Sequence, residues 1–593
     1  MVHSIPVFRS YHHKSLGAKT ISNPYECLKI RLFLFHKTLE KKYLVCYNNG
    51  DSGDVFEEEN FMAYFLKKAR LKGRTYISIC ESFYSHEKKG TAHRIYKSLG
   101  SVETHMANGI ADPITHFQAE VDKLNAVKKQ EGVRKISDIS PILYLGYFPL
   151  KSILEKLKIK KYVDYFKLTN KFNFDLYELL SSLVFARSVN PCSKHRTFHE
   201  VLPNLYHPYQ YSYDQLLDGL AFLGANYEKL VELFTAQVGD GYGVDTSKSY
   251  FDCTNFFFEI DRDDDFRRKG PSKEYKKDPI VGLGLLLDRH QIPIGMKMYP
   301  GNESEKPVLR DVIDDLKKQR NVTGKTIHVA DKGLNCAQNI AFSKKNGDGY
   351  LFSKSVKGLC EKEKVWVLLE EDFKEVKDKA GKVLYYYKSC IDKFPYNVEH
   401  NGKKVTVNLT EKRLLTYNPN LAAKKRYEIN RMVEKAKSLT LSQAKKDEYG
   451  ETGKYVNFTD KNGMDDQDIY DTYHNLWRIE ECFKIMKSDL DARPAFLQKE
   501  DTIKGHFLIC YLTVLLERVL QFKVLKNKYS TSEIFGFIKG FRVTKAENKY
   551  INTTTYSDFI NDLSKILHLP IMNYFLSETQ IKSIVNYKLP NTI

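Results

Sequence analysis

Apolar residues recur at helical spacing from about residue 140 to 240. Three stretches, PLKSILEKLKIKKYVDYF, DLYELLSSLVFARSV and SYDQLLDGLAFLGANYEKLVELFTAQV, carry apolar residues three and four positions apart. This is the period of a helix with one buried face. Pro191 and the turn-rich PNLYHPYQYS separate the stretches, as breakers do. The pattern predicts a helical domain.

The period changes near residue 249. SYFDCTNFFFEI is rich in aromatic residues and predicts a strand, and the runs PIVGLGLLLD and IPIGMKMYPGN across a short polar turn predict a hairpin. EKPVLRDVIDDLKKQ and CAQNIAFSKKNG predict helices, while KTIHVAD and GYLFSKSV predict strands. The resulting order is strand, strand, strand, helix, strand, helix, strand. A hairpin sheet that turns parallel through crossover helices is typical of a ribonuclease H-like fold.

The remaining patterns complete a division into six parts. KVWVLLEED, KVLYYYKSC and KKVTVNLTEKRLLTY predict strands, and KKYLVCYNNGDSGD predicts a strand and a turn. The stretch from Tyr473 to Asp489 lacks breakers and predicts one helix. We therefore expect a multidomain α+β protein, in which an α/β core is interrupted by a β-rich insertion and flanked by helical regions. The parts are a small α+β domain (1–130), a helical domain (131–245), the first part of the core (246–356), the insertion (357–465), a helix that completes the core (466–500) and a helical C-terminal region (501–593).

The net charge of the chain indicates the class of partner that it binds. The 593 residues carry a formal net charge of +19 with a pI near 9.1, which favours a polyanionic partner such as nucleic acid. The alternative is a lysine-rich surface that reflects AT-rich coding. A hydrophobic fraction of 42% is enough for real cores.

The sequence also bears on location. No window approaches 18 uncharged apolar residues, and the N-terminus MVHSIPVFRSYHHKS has no apolar signal region. The ten cysteines form no CxxC pair, so neither a zinc ribbon nor a disulfide framework is indicated. We expect a soluble cytoplasmic protein with reduced thiols and no membrane contact.

Three acids do not fit their predicted surroundings. Asp252 lies inside a strand, where Asp is depleted. Asp331 lies at the C-terminal end of the strand IHVAD, and mainly parallel sheets bind ligands at this end of their strands. On a single helical wheel, Glu480 lies amid apolar residues. Singly, Asp331 could be a turn or helix-capping residue, and Glu480 could be a partner of Lys484 or Lys487.

Taken together, the three acids predict a metal site. In this fold, the two strands and the late helix would converge beside one sheet edge. Carboxylates at close quarters repel each other unless cations lie between them, and oxygen ligands favour Mg²⁺ or Mn²⁺. Two such ions can activate a nucleophile and stabilise the leaving oxygen in phosphoryl transfer. Asp252, Asp331 and Glu480 are therefore the expected catalytic residues and ligands of two ions.

The segments YFDCTNFFFE, HVADKGLN and YHNLWRIEECFKIMKSDLDARP resemble those of the DDE transposases of bacterial insertion sequences. The branch resembled carries a Tyr-x2-Arg-x3-Glu-x6-Lys signature around its catalytic Glu, with a strand-rich insertion before it. Tyr473, Glu480 and Lys487 match this signature in type and spacing. Leu476 stands where the signature has Arg. Arg478 lies about 160° from Glu480 around a regular helix, so it does not simply replace that arginine.

The resemblance implies a DNA transposase that binds the terminal inverted repeats of an insertion sequence, cleaves at its ends and joins the 3′-hydroxyls to target DNA. It implies double-stranded DNA partners, both transposon ends and target, and a homodimer when bound to DNA. The expected DNA-binding residues are Tyr473, Lys487, Trp477, Lys424, Lys425 and Arg426. Trp477 could instead be a core residue, and the basic helix around Lys424 could be a solvated face. Two other functions stay open: a non-catalytic DNA-binding remnant of such an element, and a ribonuclease H-like DNA nuclease without strand transfer.

Overall fold

A computed structural model describes residues 63–590 except for short gaps. The gaps are residues 72, 86–89, 133–141, 171, 208, 275–276, 319–323, 401, 436–453, 461–463 and 547–548. The predicted strand and turn in KKYLVCYNNGDSGD lie outside the described residues. The chain divides into two compact units, which meet in sequence at Ile136 and Ser137.

The described part of the first unit combines a small sheet with two helices. Its strands pair antiparallel in chain order. The elements are β1 Tyr64–Leu71, β2 Arg74–Ser85, β3 Gly90–Ser101, α1 Val102–Ala107 and α2 Pro113–Gly132.

The second unit begins with one short strand and a group of helices. These elements are β4 Ile142–Tyr144, α3 Phe148–Lys156, α4 Lys160–Thr169, α5 Leu176–Val189, α6 Tyr213–Ala225 and α7 Tyr227–Tyr242. The side chain of Asp175 caps α5, and Ser212 forms a reciprocal capping box with Gln215 at the start of α6. The last predicted helical stretch is two helices, because α6 ends at Ala225 and α7 begins at Tyr227.

The central sheet follows the predicted order of elements. Its first strands and crossover helices are β5 Lys248–Phe257, β6 Ile280–Leu287, β7 Pro293–Pro300, α8 Glu305–Lys318, β8 Ile327–Ala330, α9 Ala337–Lys345 and β9 Gly349–Lys354. Strands β5, β6 and β7 pair antiparallel, and β8 and β9 then add in parallel beside β5. The local strand order is therefore β7-β6-β5-β8-β9.

The stretch from 357 to 465 is rich in strands, but it is not a separate appendage. Its elements are α10 Glu361–Leu368, β10 Lys374–Lys377, β11 Val383–His400, β12 Lys403–Tyr417, α11 Pro419–Lys435 and β13 Lys454–Asp460. Because β13 pairs antiparallel with β9, these strands extend the central sheet to nine strands. The expected departure from the core is therefore wrong. KVWVLLEED is also not a strand, since most of it lies in α10.

The C-terminal part contains helices and three short strands. Its elements are α12 Asp466–His474, α13 Trp477–Lys484, α14 Glu500–Arg518, α15 Thr531–Gly540, β14 Arg542–Ala546, β15 Lys549–Asn552, α16 Asp558–Leu567, β16 Phe575–Leu576 and α17 Glu578–Val585. The strands form a second sheet with β4 in the order β16-β15-β14-β4, so the expected helical region also contains strands. In the part of the chain that the structure describes, no helix combines the length and apolarity needed to cross a bilayer.

Helix α14 is buried along almost its whole length and crosses α6 at close range. Gly224 and Gly505 stand at the crossing. A Cβ at Gly505 would lie 2.2 Å from the carbonyl oxygen of Leu220, and one at Gly224 would lie 1.8 Å from that of Asp501. The two backbones therefore approach more closely than any side chain allows.

We expect Gly505→Ala to destabilise this unit by roughly 1–3 kcal/mol, the usual cost of overpacking a core. Gly536→Ala in α15 is the matched control, because a Cβ there meets no atom within 4 Å. The control should be neutral or stabilising by up to about 1 kcal/mol through helix propensity. Thermal unfolding of both variants checks this, and equal Tm values would contradict the close crossing.

Candidate functional site

Asp252 and Asp331 lie at matching positions on neighbouring parallel strands. The register of β5 with β8 pairs Tyr250 with Val329 and Phe251 with Ala330, so the next positions are Asp252 and Asp331. Adjacent strands are about 4.8 Å apart, and side chains at matching positions leave the same face. The carboxylate of Asp331 is close enough to raise the pKa of Asp252. Two of the three expected acids are thus brought together.

Asp252 is a partly buried carboxylate beside a lysine. Its Oδ1 accepts a hydrogen bond from the amide of Cys253 at 2.8 Å and lies 3.7 Å from Lys273 Nζ. Burial raises the pKa of Asp252 to about 6, and the carboxylates of Glu305 and Asp331 add to this, while Lys273 opposes it. The site therefore disfavours a bare negative charge on Asp252.

Lys273 bridges two acids. Its Nζ lies 3.5 Å from Glu305 Oε1 as well as near Asp252. Burial opposes the charge on Lys273, but Asp252 and Glu305 outweigh burial and raise its pKa. Glu305 begins α8, and a Cβ at Gly333 would lie 4.0 Å from its Oε2. Glu305 thus reaches the turn that follows Asp331, and an ammonium group lies between two carboxylates.

Asp331 is oriented by two hydroxyl groups. Ser353 and Tyr473 each donate a hydrogen bond to its Oδ1 at 3.0 Å. Asp331 precedes a short 3₁₀ turn, but its side chain makes no capping hydrogen bond there. Its carboxylate is therefore held in place by β9 and α12. Burial and then Asp331 raise the pKa of Tyr473, so its hydroxyl stays a donor.

The expected inward orientation of Glu480 is wrong. The predicted helix is broken, since α12 ends at His474 and α13 begins at Trp477. A single helical wheel therefore does not relate Glu480 to Tyr473. Glu480 is exposed, and within the described residues it forms no ion pair with Lys484 or Lys487. Helix α13 nevertheless packs against β5, the strand that carries Asp252.

The inward acid of α13 is Glu481. Its Oε2 lies 2.9 Å from Nη2 of Arg518, a residue of α14 with a fully buried side chain. Thr531 donates a hydrogen bond to Oε1 at 3.3 Å, and Arg478 Nη1 lies 3.3 Å from Oε2. This cluster fixes the rotation of α13 about its axis and leaves Glu480 on the outer side.

Lys487, expected to contact DNA, has a protein partner. It donates to Glu274 Oε1 at 3.0 Å and lies 5.4 Å from the centroid of the Phe256 ring. Arg493 pairs with the other oxygen of Glu274. Burial lowers the pKa of Lys487, and Glu274 counteracts this. Lys487 therefore links the segment after α13 to the loop that carries Lys273.

Of the other expected DNA-binding residues, Trp477 and the three basic residues of α11 lie on the surface. Trp477 is 48% exposed, so it is not a core residue, and Arg478 lies over its ring at 4.0 Å. Lys424, Lys425 and Arg426 are exposed on α11, where Lys425 pairs with Glu428. Tyr473 is half-buried and engaged with Asp331.

Sequence reasoning missed Lys273 and Glu305. Lys273 lies in the charged loop between β5 and β6, where many acids and bases gave no reason to choose one. Glu305 follows PGNES at the start of an amphipathic helix, where an acid also serves the helix dipole. Neither position has a local signal, because both contacts are tertiary.

Oxygen donors suited to Mg²⁺ or Mn²⁺ are present, but only in part preassembled. Asp252 and Asp331 are neighbours, and a cationic group already lies beside Asp252. In the described ranges, no group of three or more His, Cys, Asp or Glu side chains is close enough to hold a metal ion. The pair fits the chemistry of a divalent cation, and a third carboxylate would have to join it.

No protein-family model matches the chain. No curated protein matches it either. Among solved structures, the chain is similar to the piggyBac transposase in a synaptic complex with hairpin DNA, with 10% identity and a TM-score of 0.33 over 76% of this chain and 86% of that chain. Such a score is too low to establish a shared fold.

We expect Glu481→Gln to destabilise the protein by about 2–3 kcal/mol, because it leaves the buried Arg518 guanidinium without its closest carboxylate. Glu480→Gln is the matched control one residue away, and its effect should stay within about 0.5 kcal/mol, as for exposed positions. Thermal unfolding distinguishes the two. A larger loss for Glu480→Gln would show that α13 is rotated differently.

Proposed function

We propose that the protein is a DNA transposase with a ribonuclease H-like catalytic core. The observation that carries the proposal is the register of β5 and β8, which sets Asp252 beside Asp331 on one face. The strand order β7-β6-β5-β8-β9, antiparallel first and parallel afterwards, is the order expected for such a core. The net charge of +19 suits a polyanionic substrate.

Asp252 and Asp331 would hold Mg²⁺ or Mn²⁺, with Glu480 as the third ligand. Two such ions, when bound, would activate the attacking oxygen and stabilise the leaving oxygen. Tyr473 supports this assignment, because its hydrogen bond to Asp331 ties α12 to the site four residues before the first residue of α13, Trp477. Ser353 and Tyr473 would orient Asp331, and Lys273 would balance the charge of Asp252 until metal arrives.

The DNA would contact exposed groups of the second unit. Lys424, Lys425 and Arg426 are candidates for phosphate contacts, which add affinity but no sequence preference. Trp477 is exposed next to Glu480 and offers a ring on which a distorted base could stack. By this proposal, the protein cleaves the ends of an insertion sequence and joins the 3′-hydroxyls to target DNA as a homodimer.

We expect Asp331→Asn and Glu480→Gln to fold and bind DNA while Mg²⁺-dependent cleavage falls by at least about 100-fold, since each loses a charge that holds metal. Asp311→Asn is the control, because Asp311 is an exposed acid of α8 outside the site. The assay combines the protein with DNA carrying the element's own ends and a target plasmid. Cleavage by Glu480→Gln at the control rate would remove Glu480 from the site.

The same assay separates the other functions. Cleavage without joined products indicates a nuclease without strand transfer, and DNA binding without either product indicates a non-catalytic remnant. Glu305 is the other carboxylate near Asp252 that could serve as the third metal ligand, and Glu305→Gln tests it. We expect it to retain more cleavage than Glu480→Gln, because Lys273 already engages Glu305. The reverse order would assign the third position to Glu305.

A further inference from the structure

A cavity of about 710 Å³ lies beside the segment that follows α13. Its wall includes Arg187 of α5, His506 of α14 and Lys194, which lies between α5 and α6. Asp491, Arg493 and Phe496 also line this wall. Arg493 pairs with Glu274, the neighbour in sequence of Lys273. The cavity is therefore connected by direct contacts to the loop beside Asp252, but none of the catalytic candidates lines it.

The cavity contains a buried ammonium group with few partners. Lys194 is 7% exposed, and its Nζ lies 3.2 Å from His506 Nδ1. His506 Nε2 lies 3.0 Å from the carbonyl oxygen of Ala492, which can only accept, so Nε2 carries the proton and Nδ1 accepts from Lys194. An ammonium group has three donors. Two N–H groups of Lys194 thus have no protein acceptor in the described part of the chain.

A second buried cation adds to this charge. Arg187 is 5% exposed and donates to the carbonyl oxygens of Leu490 and Cys192 at 3.2 and 2.8 Å. Within the described residues, no carboxylate forms an ion pair with Arg187 or Lys194. Asp491 lines the wall, but it is exposed, so water screens its charge. Burial, followed by Arg187, lowers the pKa of Lys194 to about 7.

Such an arrangement is costly without a ligand. Burying two basic side chains without counter-charges opposes folding, and the lowered pKa of Lys194 reflects this cost. An oxyanion in the cavity would accept hydrogen bonds from the free N–H groups of Lys194 and would offset the positive charges of Lys194 and Arg187. The cavity is also larger than a single water needs.

We infer that this cavity is a phosphate-binding site, in which Lys194 donates hydrogen bonds to a phosphate oxygen and Arg187 supplies the second positive charge. The phosphate can belong to the DNA backbone, a source that rests on the proposed function, or to a small phosphorylated molecule. The site itself rests on the geometry alone.

The test compares full-length wild-type protein with Lys194→Gln. Glutamine keeps a donor for His506 Nδ1 but removes the charge, so it preserves the structural hydrogen bond. Thermal unfolding is measured with increasing inorganic phosphate against sodium chloride at equal ionic strength. We expect phosphate to raise the Tm of the wild type saturably, as linkage requires, and the apparent Kd to weaken at least tenfold in Lys194→Gln.

Two further variants make the result specific. Lys229→Met removes an exposed lysine of α7 and should respond to phosphate like the wild type. Lys194→Met removes both the charge and the donor and should also lose the response to phosphate. If Lys194→Gln and wild type respond equally, or if phosphate exceeds chloride for neither, the inference is overturned.

A DNA-binding arm identifies the source. If the phosphate belongs to DNA, Lys194→Gln weakens binding to a duplex and lowers the salt slope by about one unit per lost contact. If duplex binding is unchanged while the phosphate response is lost, the ligand is a small phosphorylated molecule. Cleavage activity does not enter these readouts, so failure of the proposed function remains distinguishable from failure of this site.

Discussion

The parallel pairing of β5 with β8 is the constraint on which the site depends. The register of two paired strands determines which residues lie side by side. A slip by one position would turn a side chain to the opposite face of the sheet. Because Phe251 pairs with Ala330, Asp252 and Asp331 emerge together. The apolar neighbours on both faces hold this register, since Tyr250 and Val329 belong to the main core and Phe251 and Ala330 to a second one.

This register brings two negative charges close together, and the surrounding residues stabilise them. Two carboxylates at neighbouring positions repel each other, and burial raises the pKa of Asp252 further. Lys273 brings a positive charge from the loop before β6, and hydroxyl groups from β9 and α12 support Asp331. A divalent cation would serve the same purpose more strongly.

Helix α13 is positioned by the ion pair between Glu481, the residue next to Glu480, and the buried Arg518. Glu481 meets Arg518 of α14, and α14 is held against α6 by the close crossing at Gly224 and Gly505. The orientation of Glu480 thus depends on helices far from it in sequence.

The sequence predicted what depends on local pattern. Alternation and strand ends singled out Asp252 and Asp331, which the register of β5 and β8 sets side by side. The predicted order of hairpin and crossover helices was confirmed. The break at Asn475 and Leu476 has no Gly or Pro to mark it, so the helical wheel put the wrong glutamate inside. KVWVLLEED is a short apolar run, which periodicity does not assign to helix or strand. The pairing of β13 with β9 joins strands about 100 residues apart, which no local pattern encodes.

The most direct measurement is an anomalous diffraction map of crystals soaked in Mn²⁺. We expect a manganese peak between the carboxylates of Asp252 and Asp331, with Lys273 displaced from its position beside Asp252. A map at saturating Mn²⁺ with no peak there, and with the ammonium of Lys273 still beside Asp252, would contradict a metal-dependent site.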